Sequence, residues 1–190
     1  ALQMDKIYNL GLIVGRFQVF HLGHEKMIKT SLQLSNKTIV FIGSAQESMT
    51  QKNPFSYEFR YNMLNVVFAD EIKSGALVIK PLNDIGIGNN NSWGKYVLNN
   101  AFDIFGKYPD ILISGKEARR INWFDSESVK IAELYIPKEI DISATDMRQQ
   151  LIENDFTGWK SYTNQKLWRD FQGMRNIVLA SQNNKETNSI

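Results

Sequence analysis

Ile7-Tyr8-Asn9-Leu10-Gly11-Leu12-Ile13-Val14-Gly15-Arg16-Phe17-Gln18-Val19-Phe20-His21-Leu22-Gly23-His24 decides the fold class of this chain. The run from Ile7 to Val14 is short, apolar and β-branched enough for a buried strand of a parallel sheet, and Gly15 breaks it. Beyond the second histidine, Met27, Ile28, Ser31, Leu32 and Leu34 recur at helical spacing. Gly23 and His24 therefore fall near the start of a helix, whose free amides and dipole favour an anion. Strand, loop, helix is the phosphate-binding unit of nucleotide folds. His21 and His24 are the two histidines of the chain. Each imidazole can offer an N–H to oxygens that gain charge during phosphoryl or nucleotidyl transfer, Gly23 lets ligand or backbone come close, and Arg16 adds a fixed positive charge. Two histidines at this spacing would also serve as half of a metal site. The chain has no cysteine and no third histidine, which weakens that alternative, while carboxylates such as Asp84 keep it open.

Outward from this segment, strand and helix patterns alternate, as in an open parallel sheet flanked by helices. Thr38 to Ile42 reads as a second strand, Ala76 to Ile79 as a third and Ile111 to Ser114 as a fourth. A fifth is expected from about Lys130 to Tyr135, although Glu133 interrupts it. Helices are expected from Ser56 to Phe68, after an N-cap at Ser92, and from the capping box Ser143-Ala144-Thr145-Asp146 through Leu151. The fold class is α/β, Rossmann-like, with a small C-terminal helical extension. Residues 1–155 are read as the main domain. Residues 156–190 form an extension of the same structural unit, rich in buried-type aromatics and ending in a polar tail expected to fray.

Composition narrows the function classes. The 22 basic and 20 acidic residues among 190 give a formal charge of +2, and no basic cluster argues for a nucleic-acid partner. Without cysteine there is neither a disulfide framework nor thiol chemistry, which suits the cytoplasm. There is no signal-peptide pattern and no apolar stretch long enough to span a bilayer, so no membrane role is expected.

Several further segments carry polar chemistry. Arg60 lies one turn into the helix that follows Asn53-Pro54-Phe55-Ser56, where it would be either a surface arginine or a ligand contact. Asp84 opens the loop Ile85-Gly86-Ile87-Gly88-Asn89-Asn90-Asn91-Ser92-Trp93. An indole at a helix start either closes the core, here against Val97, or stacks on a flat cationic ring such as a pyridinium. A nearby asparagine amide would then tell a carboxamide from a carboxylate. Gly115 ends the fourth strand and places backbone amides at the carboxyl edge of the sheet, where ligands of open α/β folds collect. Lys116 follows it without a defined role. Ser143, Thr145 and Arg148 combine hydroxyls, free amides and a guanidinium at one helix N-terminus.

The string Gly15-Arg16-Phe17-Gln18-Val19-Phe20-His21-Leu22-Gly23-His24 resembles the H-x-G-H nucleotidylyltransferase superfamily, specifically nicotinamide mononucleotide adenylyltransferases of the archaeal and bifunctional bacterial type. Ile142-Ser143-Ala144-Thr145-Asp146-Met147-Arg148 is similar to the second signature of that superfamily, in the right order. The resemblance implies that Gly15, Arg16, Phe17, His21, Gly23, His24, Gly115, Ser143, Thr145 and Arg148 bind ATP. It gives the transfer step to His21, His24, Arg16 and Arg148. Ser44-Ala45-Gln46 and Asn53-Pro54-Phe55-Ser56 with Arg60 resemble further blocks of the family and imply that Arg60, Asp84, Asn90 and Trp93 bind the mononucleotide. Family members often carry glutamate before that arginine, where this chain has Phe59. The implied reaction joins ATP to nicotinamide mononucleotide, giving NAD and pyrophosphate. Mg²⁺ would be held mainly by the ATP phosphates, with no protein metal site, and the resemblance implies a homo-oligomer. No Nudix-type helix occurs, so the hydrolase activity of the bifunctional relatives is not expected. Two alternatives remain: a phosphopantetheine-type adenylyltransferase, and a nucleotide-sensing module without turnover.

Overall fold

A computed structural model describes residues 5–115, 122–124, 130–139 and 141–186. Five strands, β1 (Tyr8–Gly15), β2 (Ser35–Ile42), β3 (Leu77–Pro81), β4 (Ile111–Ser114) and β5 (Ala132–Tyr135), form one parallel sheet in the order β3-β2-β1-β4-β5. The order reverses at β1, which pairs with β2 on one side and β4 on the other.

The continuous apolar runs follow from burial on both faces. Leu10 and Leu12 of β1, Ile39 and Phe41 of β2, and Leu112 of β4 point to one core, completed by Val97, Leu98 and Ala101 of α4 (Asn91–Phe105). Their neighbours Ile13, Val40, Ile42, Ile111 and Ile113 point to the opposite core. There they meet Ile28 of α1 (Leu22–Leu34) and Met63 and Leu64 of α2 (Tyr57–Val67). This is the two-residue period of a strand expressed in two layers of helices.

A short α3 (Ala69–Ser74), which the sequence pattern does not single out, leads into β3. The strand at the sheet edge is shorter than expected, beginning at Ala132, and its edge position tolerates Glu133. The capping box opens α5 (Ala144–Ile152), with Ser143 and Asp146 satisfying each other's backbone N–H. Helices α6 (Phe156–Lys160) and α7 (Phe171–Ala180), joined through a 3₁₀ turn at Gln165–Asp170, resolve the aromatic segment. Trp159, Leu167, Phe171, Met174 and Val178 enter the same core as Ile13, Phe17 and Phe20. The expectation of a frayed tail is corrected as far as Glu186: Ser181 is fully buried, and Gln182, Asn184 and Glu186 bond to the loop 49–53.

Candidate active site

A cavity of about 750 Å³ opens at the carboxyl edge of the sheet, between the ends of β1, β2 and β4. This is the switch point of the strand order, where the backbone of an open α/β sheet parts and leaves room for a ligand. Gly15, Arg16, Phe17, His21, Gly23, His24, Asp84, Trp93 and Gly115 all line it.

One end of it is built around the start of α1. His21 is the N-cap, and its Nδ1 accepts from Gly23 N at 3.0 Å, while His24 Nδ1 accepts from His21 N at 3.2 Å. Two orphan amides of the helix are thereby satisfied by imidazoles in place of the usual serine and glutamate. With Nδ1 an acceptor in both rings, the proton of each neutral imidazole sits on Nε2, which remains available to a ligand. The rings stack with centroids 3.8 Å apart, and Phe17 packs under His24 at 4.7 Å. Burial, then the charge of Lys138, lowers the His21 pKa to about 4; burial, the neighbouring His21 and Lys138 push His24 well down too. Both rings are neutral N–H donors at pH 7. A side chain at position 23 would meet the imidazole of His21 at 2.8 Å, so the glycine makes room for the histidine rather than for the ligand.

The three arginines do different work. Arg16 is exposed on the cavity wall, its guanidinium donating to Asn53 Oδ1 at 3.4 Å. Arg148 is nearly buried behind that wall, donating to Gln18 O and, at 3.3 Å, to Thr145 Oγ1. Burial and then the nearby charge of Arg16 lower its pKa. Ser143 is engaged in its own capping box and, like Thr145, lies beside the cavity, whose wall there is formed by Ile142 and Ala144. Arg60 is not brought to the cavity. It is fully buried and donates to four carbonyls: Ser56 at 3.1 Å, Arg16 at 2.9 Å, Gly43 at 2.7 Å and Ser44 at 3.1 Å. Burial, then Arg16, lowers its pKa to about 10, still charged at neutral pH. Its guanidinium satisfies the turns that leave β1 and β2, where Phe17 (φ 56°) and Ser44 (φ 48°) adopt left-handed backbone. Arg60, expected as a phosphate contact, is thus placed behind the cavity as a buried group that holds these turns.

The opposite end of the cavity is aromatic. Asp84 accepts from Ser44 Oγ at 2.6 Å, and its backbone pairs with the Gln46 amide, which anchors the loop 84–90. Trp93 stands at the cavity with Trp123 edge-on at 6.5 Å. Asn90 takes the N-cap of α4, its Oδ1 accepting from Ser92 N at 3.0 Å and Trp93 N at 3.3 Å and its Nδ2 donating to Ile87 O at 2.7 Å. Asn90, expected as a ligand contact, is thus engaged as the cap, and the expectation of Ser92 as the cap is corrected. The asparagine lining the cavity is Asn89, which accepts from Trp123 Nε1. Trp123, Lys138 and Gln18 were not singled out by the sequence. Gln18, whose amide pairs with both backbone groups of Phe55 at 2.9 Å, locks the histidine loop to the loop before α2. Lys116 lies outside the described residues.

A sequence profile described as Cytidylyltransferase-like matches residues 12–150. The chain belongs to that family. Within it, the nicotinamide-nucleotide adenylyltransferase of Archaeoglobus fulgidus is 31% identical over 157 residues, covering 78% of this chain and 82% of the relative. That of Saccharolobus solfataricus is 42% identical over 88 residues, 46% of this chain and 50% of the relative, so this match spans half of that protein. A bifunctional NMN adenylyltransferase/ADP ribose pyrophosphatase from Francisella tularensis, complexed with AMP and manganese, superposes with a TM-score of 0.67 at 23% identity. The superposition covers 90% of this chain and 52% of that one, and the likeness is one of fold. The family and its curated relatives make this chain a nucleotidyltransferase of the nicotinamide-nucleotide adenylyltransferase type.

Among the described residues no helix is long and apolar enough to cross a membrane, and no three or more His, Asp or Glu side chains gather as metal ligands.

Proposed function

We propose that this site transfers the adenylyl group of ATP to nicotinamide mononucleotide, forming NAD and releasing pyrophosphate, with the nicotinic acid mononucleotide as a second acceptor. One observation carries the reading: a single cavity joins two free imidazole Nε2–H groups and Arg16 at one end to a pair of indoles at the other. The first end suits a triphosphate, the second a flat cationic ring.

An oxygen of the mononucleotide's 5′-phosphate attacks the α-phosphorus of ATP in line, and the bond from that phosphorus to the bridging oxygen of the β-phosphate breaks. No protein nucleophile takes part. His21 and His24 donate to phosphate oxygens, Arg16 binds the triphosphate, and Arg148 adds charge from behind while holding the carbonyl of Gln18. The groups at this end are N–H donors and cations, which do not ligate a metal, so Mg²⁺ belongs to the substrate as Mg-ATP and offsets charge on its oxygens. Trp93 stacks on the pyridine ring and Asn89 reads its carboxamide. The proposal places the enzyme in the cytoplasm, without nucleic-acid or membrane partners, and takes residues 156–190 as part of the same unit as 1–155.

The test is an assay of pyrophosphate release and coenzyme formation with Mg-ATP and, in turn, nicotinamide mononucleotide, nicotinic acid mononucleotide, phosphopantetheine and FMN. Formation of NAD is expected. Turnover of phosphopantetheine alone would overturn the acceptor, and ATP binding without any turnover would make the chain a sensor.

A further inference from the structure

Each residue from Met49 to Asn53 is hydrogen-bonded to the tail that follows α7. Asn184 Nδ2 donates to Met49 O at 2.7 Å, Gln51 N to Asn184 O at 3.1 Å, and Gln51 Nε2 to Gln182 O. The Glu186 carboxylate accepts the rest: Thr50 Oγ1 at 2.7 Å and Asn53 Nδ2 at 2.8 Å on one oxygen, Lys52 N on the other.

This arrangement determines how Asn53 is turned. A carboxylate can only accept, so the NH₂ of the Asn53 amide must face Glu186 and its carbonyl must face away. The carbonyl faces Arg16, whose guanidinium donates to it at 3.4 Å. Asn53 itself is buried, and its backbone N donates to Thr50 Oγ1 at 3.2 Å, so the loop that carries it is closed around the same carboxylate. Flipping the amide would set two acceptors against each other at Glu186 and a donor against the cation at Arg16.

We propose that Glu186 is a positioning residue for the phosphate end of the site, orienting Asn53 so that it holds Arg16 toward the triphosphate. The inference rests on the reading above that Arg16 meets the phosphates of ATP. Burial alone would raise the carboxyl's pKa, but the hydrogen bonds from Thr50, Lys52 and Asn53 outweigh it and keep the group ionised.

Four variants test the relay: Glu186→Ala, Asn53→Ala, the double variant, and Asn184→Ala, which removes the bond to Met49 O from the strap between tail and loop without touching Asn53. Each is measured for kcat, for the KM of Mg-ATP and of the mononucleotide, and for calorimetric binding of inorganic tripolyphosphate. Glu186→Ala and Asn53→Ala should each raise the KM of Mg-ATP and weaken tripolyphosphate binding by about tenfold, the scale of one charge-assisted hydrogen bond. The mononucleotide KM should stay within about twofold, the double variant should be no worse than Asn53→Ala, and Asn184→Ala should behave as wild type. Additive losses in the double variant, or an equal loss in Asn184→Ala, would reduce the tail to a general strap and overturn the proposal. A lower KM for Mg-ATP in Glu186→Ala would overturn it in the other direction, making the carboxylate a competitor of the phosphates. Absence of NAD synthesis by the wild type would count against the functional reading, while tripolyphosphate binding would still report on Glu186.

Discussion

At the phosphate end of the cavity the side chains hold one another: His24 takes the amide of His21, His21 takes that of Gly23, and Asn53 stands between Glu186 and Arg16. At the aromatic end the shape comes from a loop with two glycines at positive φ, Gly86 and Gly88, pinned at Asp84 and again at Asn90. The first construction fixes donors to within hydrogen-bond tolerances, as charge stabilisation requires. The second fixes two flat surfaces, which tolerate small displacements of a ring. Loss of a histidine should therefore be felt mainly in turnover, and loss of an indole mainly in affinity.

The largest effect is expected for His24→Ala, which should keep its fold by circular dichroism and lose about 100- to 1,000-fold in kcat. Near wild-type turnover would remove His24 from the proposed role. Arg60→Met comes next and probes the scaffold beneath the phosphate end. Four carbonyls lose a donor, those of Ser56 and Ser44 keeping the N–H of residue 60 and of Glu47, and a buried guanidinium's contacts are lost, so chemical denaturation should show a loss of about 3 kcal/mol. An Arg60 variant of undiminished stability but raised mononucleotide KM would restore it as a ligand contact. At the aromatic end, Trp93→Ala should raise the KM of the mononucleotide by about tenfold and that of ATP little, since stacking on a cation is worth on the order of 1 kcal/mol. Equal changes in both would make Trp93 a core residue.

The smallest effect concerns pH. His21 titrates near 4 in the folded chain against 6.5 for a free histidine, and His24 is lowered as well. Between those values the unfolded chain binds more protons, so stability is full above about pH 6.5 and falls as pH drops through the window toward 4. Thermal unfolding of wild type and of a His21→Gln, His24→Gln variant between pH 7 and 4.5 checks this: the variant should show the shallower decline.

The features legible in the sequence are those whose cause is local. The break at Gly15, the capping box at Ser143 and the apolar spacing after His24 each report on a few consecutive residues, and together they specify the sheet and the place of the phosphate end. Arg60 shows what needed more. It shares its helix face with Met63 and Leu64, three and four residues on, and that spacing is a sign of burial. Only the fold reveals that four carbonyls await it there. Among Asn89, Asn90 and Asn91 any one can cap a helix, and the direction of the loop decides which does. Trp123 and Lys138 reach the cavity from segments after β4 and β5, so nothing near them in sequence marks them.

Phe17 places a fully buried aromatic ring under His24 on a backbone that glycine would adopt without strain, at φ 56°. Glycine there would relax about 1 to 3 kcal/mol of backbone strain and at the same time empty the space below the imidazole. Stability would feel two opposing changes, whereas the imidazole would feel only the loss of its support. A screen for endurance to heat alone therefore registers only the difference between the two changes at position 17, whereas a screen for product registers the lost support in full.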